Sequence, residues 1–216
     1  MSEVVSFAAP LFFFFVLTKR EDRKGGAGFD IALSFLFGMT SVWLVAVIVS
    51  RLLPGGVPGR LHDVLFANFV VIAPVEELTK LLIPYFLTKR FKGFSSPARV
   101  VPLALAASMG FAAVENLVFV RREDLFVGVV RSFSAVPMHA FAGVLIGYFG
   151  ARELAMKSRH GWVKGLFLAT LAHAFYNSYT MMFYGTDLSF GVFLIAGVYA
   201  LIAWKLTKRA RADCLP

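Results

Sequence analysis

Apolar residues in this chain fall into runs long enough to cross a bilayer, separated by short polar or basic stretches. The first run, Val4 to Leu17, ends at Thr18-Lys19-Arg20. It is short for a span, and no basic residue precedes it, so it does not read as a standard secretory signal peptide. It is read as a first helix with its N-terminus outside. Phe29 to Val49 is the second span and is free of charge after Asp30. Arg51 to Arg60, with Pro54, Gly55, Gly56, Pro58 and Gly59, reads as a loop. The third run extends from Val64 to Leu87, and Pro74 and Pro84 predict a kink in it. Val100 to Val120 is the fourth. The fifth ends at Gly150 and starts at either Leu125 or Phe133, because Arg131 interrupts it. Trp162 to Tyr184 is the sixth and Leu188 to Trp204 the seventh. The pattern predicts an all-α, polytopic transmembrane helical bundle of about seven spans. It forms a single integral membrane domain over residues 1–216, without internal repeats or a soluble domain.

Composition agrees. The 216 residues are 58% hydrophobic and 16% charged, with 24 Phe, and the mean hydropathy is +0.73. Soluble domains are about 45–50% apolar and about 25% charged. The chain is therefore expected in the cell membrane as a multi-pass protein. A lone cysteine, Cys214, excludes an intrachain disulfide. The net charge of +9 does not indicate nucleic acid, because the basic residues sit at helix ends, where they mark the cytoplasmic face and its anionic lipids. Four Lys or Arg follow each of the first, third and fifth spans, and four more lie in the tail: Lys205, Lys208, Arg209 and Arg211. The other face holds only Arg51, Arg60, Arg121, Arg122 and Arg131. That split predicts an outside N-terminus and a cytoplasmic C-terminus.

The polar residues inside the runs carry the chemistry. Glu76, Glu77 and Lys80 lie in the middle of the third run. A charge at that depth costs a few kcal/mol or more, so such groups persist where they face a watery cavity or each other. On a helix Lys80 reaches either carboxylate, four residues from Glu76 and three from Glu77, and spacing does not decide between them. A Glu–Lys pair can simply hold two helices together, but two glutamates for one lysine leave a carboxylate over. Glu115 and Asn116 lie in the fourth run, His139 in the fifth, and His173 with Asn177 in the sixth. A lone His or Asn in a bundle is often helix–helix glue. Asn116 is read as structural, Arg131 as an interfacial charge, and the Gly143-x-x-x-Gly147 step as close packing. Glu76 lies about 18 Å along the helix axis from Val64, and Glu115 about 8 Å from the outer end of its helix. The groups can therefore converge in the middle-to-outer part of one bundle.

Carboxylates with histidines suit general acid–base hydrolysis, with one group taking a proton from water and another returning it to a leaving amine. Asn177 and a His are candidate oxyanion donors. No Ser or Cys nucleophile beside a base is apparent, and there is no His-Glu-x-x-His motif. No cofactor is expected, although two His with Glu ligands are able to hold Zn²⁺, which leaves metal hydrolysis open. A proton-coupled transporter would also explain buried Glu and His, but evident inverted repeats are lacking. A noncatalytic partner-binding protein is the third alternative.

At these residues the chain resembles the PrsW family of intramembrane proteases, related to the membrane CAAX prenyl endopeptidases. The matching pieces are Glu76-Glu77-x-x-Lys80, Phe111-x-x-x-Glu115-Asn116, Pro137-Met-His139 and His173-x-x-x-Asn177. They run in the family's order over the third to sixth spans. The CAAX relatives carry His where this chain has Glu115, and Arg where it has Lys80, which argues against prenyl-protein processing. The resemblance implies a water-activating Glu76, a Glu77 held by Lys80, and an oxyanion site from His173 and Asn177. It also implies a single-span membrane protein substrate, such as an anti-sigma factor, cut on the outer side.

Overall fold

In lipid a backbone must satisfy its own hydrogen bonds, so apolar runs of this length fold as helices. The computed structural model describes residues 7–12, 14–16, 28–57, 59–90, 96–123, 125–157 and 159–214, and every regular element among them is helical. A short helix, α1, covers Phe7–Val16; the rest of the first run and the basic residues after it lie outside the described residues. The remaining elements are α2 (Gly28–Leu52), α3 (Leu61–Phe66), α4 (Ala73–Arg90), α5 (Pro97–Arg122), α6 (Leu125–Phe133), α7 (Ala135–Met156), α8 (Gly161–Phe183) and α9 (Gly191–Cys214). By length and composition, four stretches are able to cross a membrane: α2, α5, the α6–α7 pair, and Asp187–Ala210, which takes in most of α9. α4, which carries Glu76, Glu77 and Lys80, and α8, which carries His173, are not among them.

Two irregularities shape the bundle. Between α3 and α4 the chain continues as a π-helix, Ala67–Ile72, in which Ala73 N–H donates to Asn68 O, five residues back. Pro74 follows at once. A proline lacks the N–H of the normal ladder and its ring crowds the carbonyl four residues earlier, here Val70 inside the widened turn. Pro84, by contrast, sits within continuous α4. The second irregularity is Ser134, whose backbone (φ −124°, ψ −61°) separates α6 from α7. Pro137 lies in the first turn of α7, where its missing N–H costs little, and Ser134 accepts from Met138 N–H at 3.2 Å. The fifth run is therefore two helices end to end: α6 starts at Leu125 as one reading has it, and the later start falls at Ala135, two residues beyond Phe133.

α5 and α7 form the centre, with α2 against α5 and α8 and α9 against α7. Small residues let these helices approach closely. A Cβ on Gly147 would stand 2.6 Å from Val101 Cα, and one on Gly143 would stand 2.9 Å from Ala104 O. The Gly143/Gly147 step is thus a packing seam, as its spacing predicts. The core behind it includes Val100, Ala104, Ala142, Ile146 and Ala169. Large apolar side chains such as Trp43, Val47, Leu194 and Leu201 point outward from α2 and α9, as expected of surfaces that meet lipid.

Candidate active site

The site is built around one ammonium group. α4 is buried along the face that carries Glu76, Glu77 and Lys80, and Lys80 is 1% exposed. A lysine has three N–H donors and no acceptor. Here the three meet three acceptors: Glu77 Oε1 at 2.8 Å, His139 Nδ1 at 3.0 Å and Glu76 Oε2 at 3.3 Å. The Phe111 ring covers the ammonium, 4.1 Å from its centroid. Lys80 therefore holds both glutamates, Glu77 more closely.

His139, from the first turns of α7, carries this network outward. Because Lys80 donates to Nδ1, the ring proton resides on Nε2, which donates to Glu115 Oε2 at 2.9 Å. The same carboxylate oxygen accepts from Arg131 Nη2. Arg131 Nε donates to Asn116 Oδ1 at 2.9 Å, and its guanidinium lies 3.8 Å from the Phe119 ring centroid. This corrects the reading of Arg131 as an interfacial charge. Arg131 turns inward from α6 onto two adjacent residues of α5, because Glu115 would otherwise be a half-buried anion without a counter-charge. Arg131 is the functional candidate that sequence reasoning misplaced. The signal available was a basic residue inside an otherwise apolar run.

His173, from the middle of α8, closes the other side. Its Nδ1 lies 2.6 Å from Glu77 Oε1, a contact in which the imidazole must donate. Its Nε2 is buried without a hydrogen-bond partner, as is Glu77 Oε2; Nε2 stands 3.8 Å from Glu76 Oε2. The His139 and His173 rings meet edge-on, 5.2 Å between centroids. The two glutamates thus differ. Glu77 is fully enclosed and clamped by Lys80 and His173, while Glu76 keeps a small opening, 7% of its side chain. Asn177, four residues on from His173, is half-buried, and its amide makes no hydrogen bond to the cluster among the described residues. The structure thus joins Glu76, Glu77, Lys80, Glu115, His139 and His173 in one network and leaves Asn177 beside it.

Residues 31–204 match the family described as "PrsW family intramembrane metalloprotease". The chain belongs to the PrsW family. Similar relatives, each named Protease PrsW, include one from Halalkalibacterium halodurans, 27% identical over 84% of this chain and 83% of its own length. One from Geobacillus kaustophilus is 26% identical over 84% and 80%, and one from Clostridioides difficile 24% identical over 80% and 74%. No solved structure gives a significant match. Membership of the PrsW family makes this a multi-pass protein of the cell membrane and a membrane peptidase.

The family description includes a metal, and the donor set invites the question. Glu76, Glu77, His139 and His173 are all buried, with one ligand atom each within 4.8 Å of the others, and such ligands suit Zn²⁺ by type. Their arrangement does not suit it. Lys80 Nζ already stands among three of the four, and the second nitrogen of His139 is engaged by Glu115. A dication held by all four would share its space with the ammonium. The four residues do not fit a metal while Lys80 occupies this position.

Proposed function

We propose that this PrsW-family protein hydrolyses a peptide bond of a single-span membrane protein by glutamate-activated water, without a covalent intermediate. The reading rests on the unequal commitment of the two carboxylates: Glu77 is clamped by both Lys80 and His173, whereas Glu76 has only the longer, 3.3 Å contact to Lys80. In this mechanism Glu76 takes a proton from water as its oxygen bonds to the scissile carbonyl carbon. The carbonyl oxygen becomes an oxyanion. It is met by Nε2–H of a protonated His173, whose charge Glu77 balances through Nδ1–H, and by the Asn177 amide one turn along α8. Glu76 then returns the proton to the amine nitrogen, the C–N bond breaks, and a carboxylic acid and an amine leave.

The whole chain, residues 1–216, acts as one membrane domain in this proposal. It has seven spans, an outside N-terminus and a cytoplasmic tail, an assignment supported by the distribution of Lys and Arg. An anti-sigma factor is the kind of single-span substrate that the family resemblance suggests. A helical substrate must unwind to expose an amide, which is easiest near the end of its span, so the cut falls at or just outside the extracytoplasmic boundary. The test is co-expression with candidate single-span proteins, comparing the native chain with Glu76→Gln and mapping new termini by mass spectrometry. Equal cleavage by both chains refutes the proposed base, and cuts on the cytoplasmic side refute the orientation.

A further inference from the structure

We propose that Arg131 is a positioning residue for this site: it holds Glu115 so that Glu115 fixes the tautomer and orientation of His139. The inference rests on the hydrolytic reading above for its relevance to turnover, but its geometry stands alone. Glu115 Oε2 accepts from both Arg131 Nη2 and His139 Nε2. The opposite face of the same ring accepts from Lys80 through Nδ1. His139 is therefore gripped between an anion and a cation, each on the nitrogen that suits it. A histidine held in this way by a carboxylate has one tautomer and one ring orientation.

The grip depends on Glu115 staying where it is and staying charged. Its carboxylate has no lysine of its own, since the N–H donors of Lys80 go to Glu76, Glu77 and His139. Arg131 supplies the missing charge. Its planar fork serves two residues at once, Nη2 to Glu115 and Nε to Asn116 Oδ1, which a lysine cannot reproduce. The guanidinium is itself fixed against the Phe119 ring. The residue is held at the right height because α6 stops at Phe133 and α7 begins afresh at Ala135. Ser134 is secured at that junction by its own hydroxyl donating to Val130 O, 2.8 Å, and by the Tyr176 hydroxyl donating to Ser134 Oγ, 2.8 Å. Asn116 and Ser134, which by themselves look like helix glue, are thus parts of one support.

The ring of His139 reports this without any substrate. The full chain is labelled with ¹⁵N-histidine in detergent, and the His139 signals are assigned by their absence in His139→Asn. The native chain is expected to show a single tautomer with the proton on Nε2. Arg131→Ala is expected to lose that signature, giving mixed tautomers or an imidazolium, and added guanidinium ion should restore it. Arg131→Lys, which keeps the charge but not the fork, is expected to shift the signature partway, and it stands in if Arg131→Ala fails to accumulate. A His139 pattern unchanged in these variants would overturn the proposal and leave Arg131 as a mere staple between α6 and α5. In turnover of a quenched single-span peptide, kcat should fall on the order of 10–100-fold with KM little changed. A raised KM with kcat retained would also overturn it. Because the ring signature needs no turnover, failure of the peptidase reading and failure of this inference give different results.

Discussion

His173 gives Nδ1 to Glu77 at 2.6 Å and keeps Nε2 bare, 3.8 Å from Glu76. One ring thus separates the two carboxylates of a single helix turn by role: one is a fixed counter-ion, the other faces the unpartnered nitrogen across a gap.

Glu76→Gln is therefore expected to abolish cleavage while the protein still inserts and folds. Gln keeps the size but cannot take a proton from water. Glu77→Gln should lower yield as well as activity, because it weakens the hold on Lys80 and His173 together. Cleavage assays beside detergent melting curves separate the two outcomes. Near-native activity in Glu76→Gln would move the base elsewhere.

Lys80→Met is expected to be among the most damaging single changes. It removes the donor to Glu76, Glu77 and His139 at once and strands two buried carboxylates. Breaking a buried pair in this way costs about 3–5 kcal/mol, read as a lowered melting temperature and poor accumulation. A variant as stable as the native chain would mean that the ammonium does not organise the cluster.

Chelators should leave peptidase activity unchanged, and Zn²⁺ should not raise it. The motive is the seat of Lys80 among the same donors a metal would need. Inhibition by chelator with recovery on adding Zn²⁺ would contradict the metal-free mechanism.

Gly147→Val is expected to loosen the central helix pair without touching the chemistry, since its Cβ would meet Val101 Cα at 2.6 Å. Overpacking of this kind costs about 1–3 kcal/mol. The expected readout is a lower melting temperature, with kcat retained in the molecules that fold.

A reporter fused after Pro216 should be active only in its cytoplasmic form, as the basic tail predicts. Activity of a periplasmic reporter there would reverse the orientation.

Much of this was legible in the sequence because the signals were local. The apolar runs at Phe29–Val49 and Val100–Val120 lie inside α2 and α5, since an apolar stretch of this length has few other ways to fold in lipid. The gathering of Glu76, Glu77, Glu115, His139 and His173 was legible too, because buried ionisable groups on separate helices need each other. What escaped depends on partners far along the chain. Arg131 reads as a helix-end charge until α6 is laid against α5 and Glu115 is seen beside it. Spacing let Lys80 choose between two glutamates; the structure shows that it serves both, and His139 from α7 as well. The π-turn before Pro74 has no mark in the sequence beyond the proline itself.

That turn, Ala67–Ile72, has a further consequence. A π-segment is in effect an α-helix carrying a surplus residue, so the two flanking helices are out of phase by roughly one residue's rotation, about 100°. The face that Val64 buries and the face that carries Glu76 and Glu77 are thereby aligned by an insertion. Loss of any one residue between Ala67 and Ile72 would remove that surplus and turn the N-terminal third of this long helix away from its neighbours, leaving every side chain of the Glu76–Glu77–Lys80 cluster present but the approach to them reshaped.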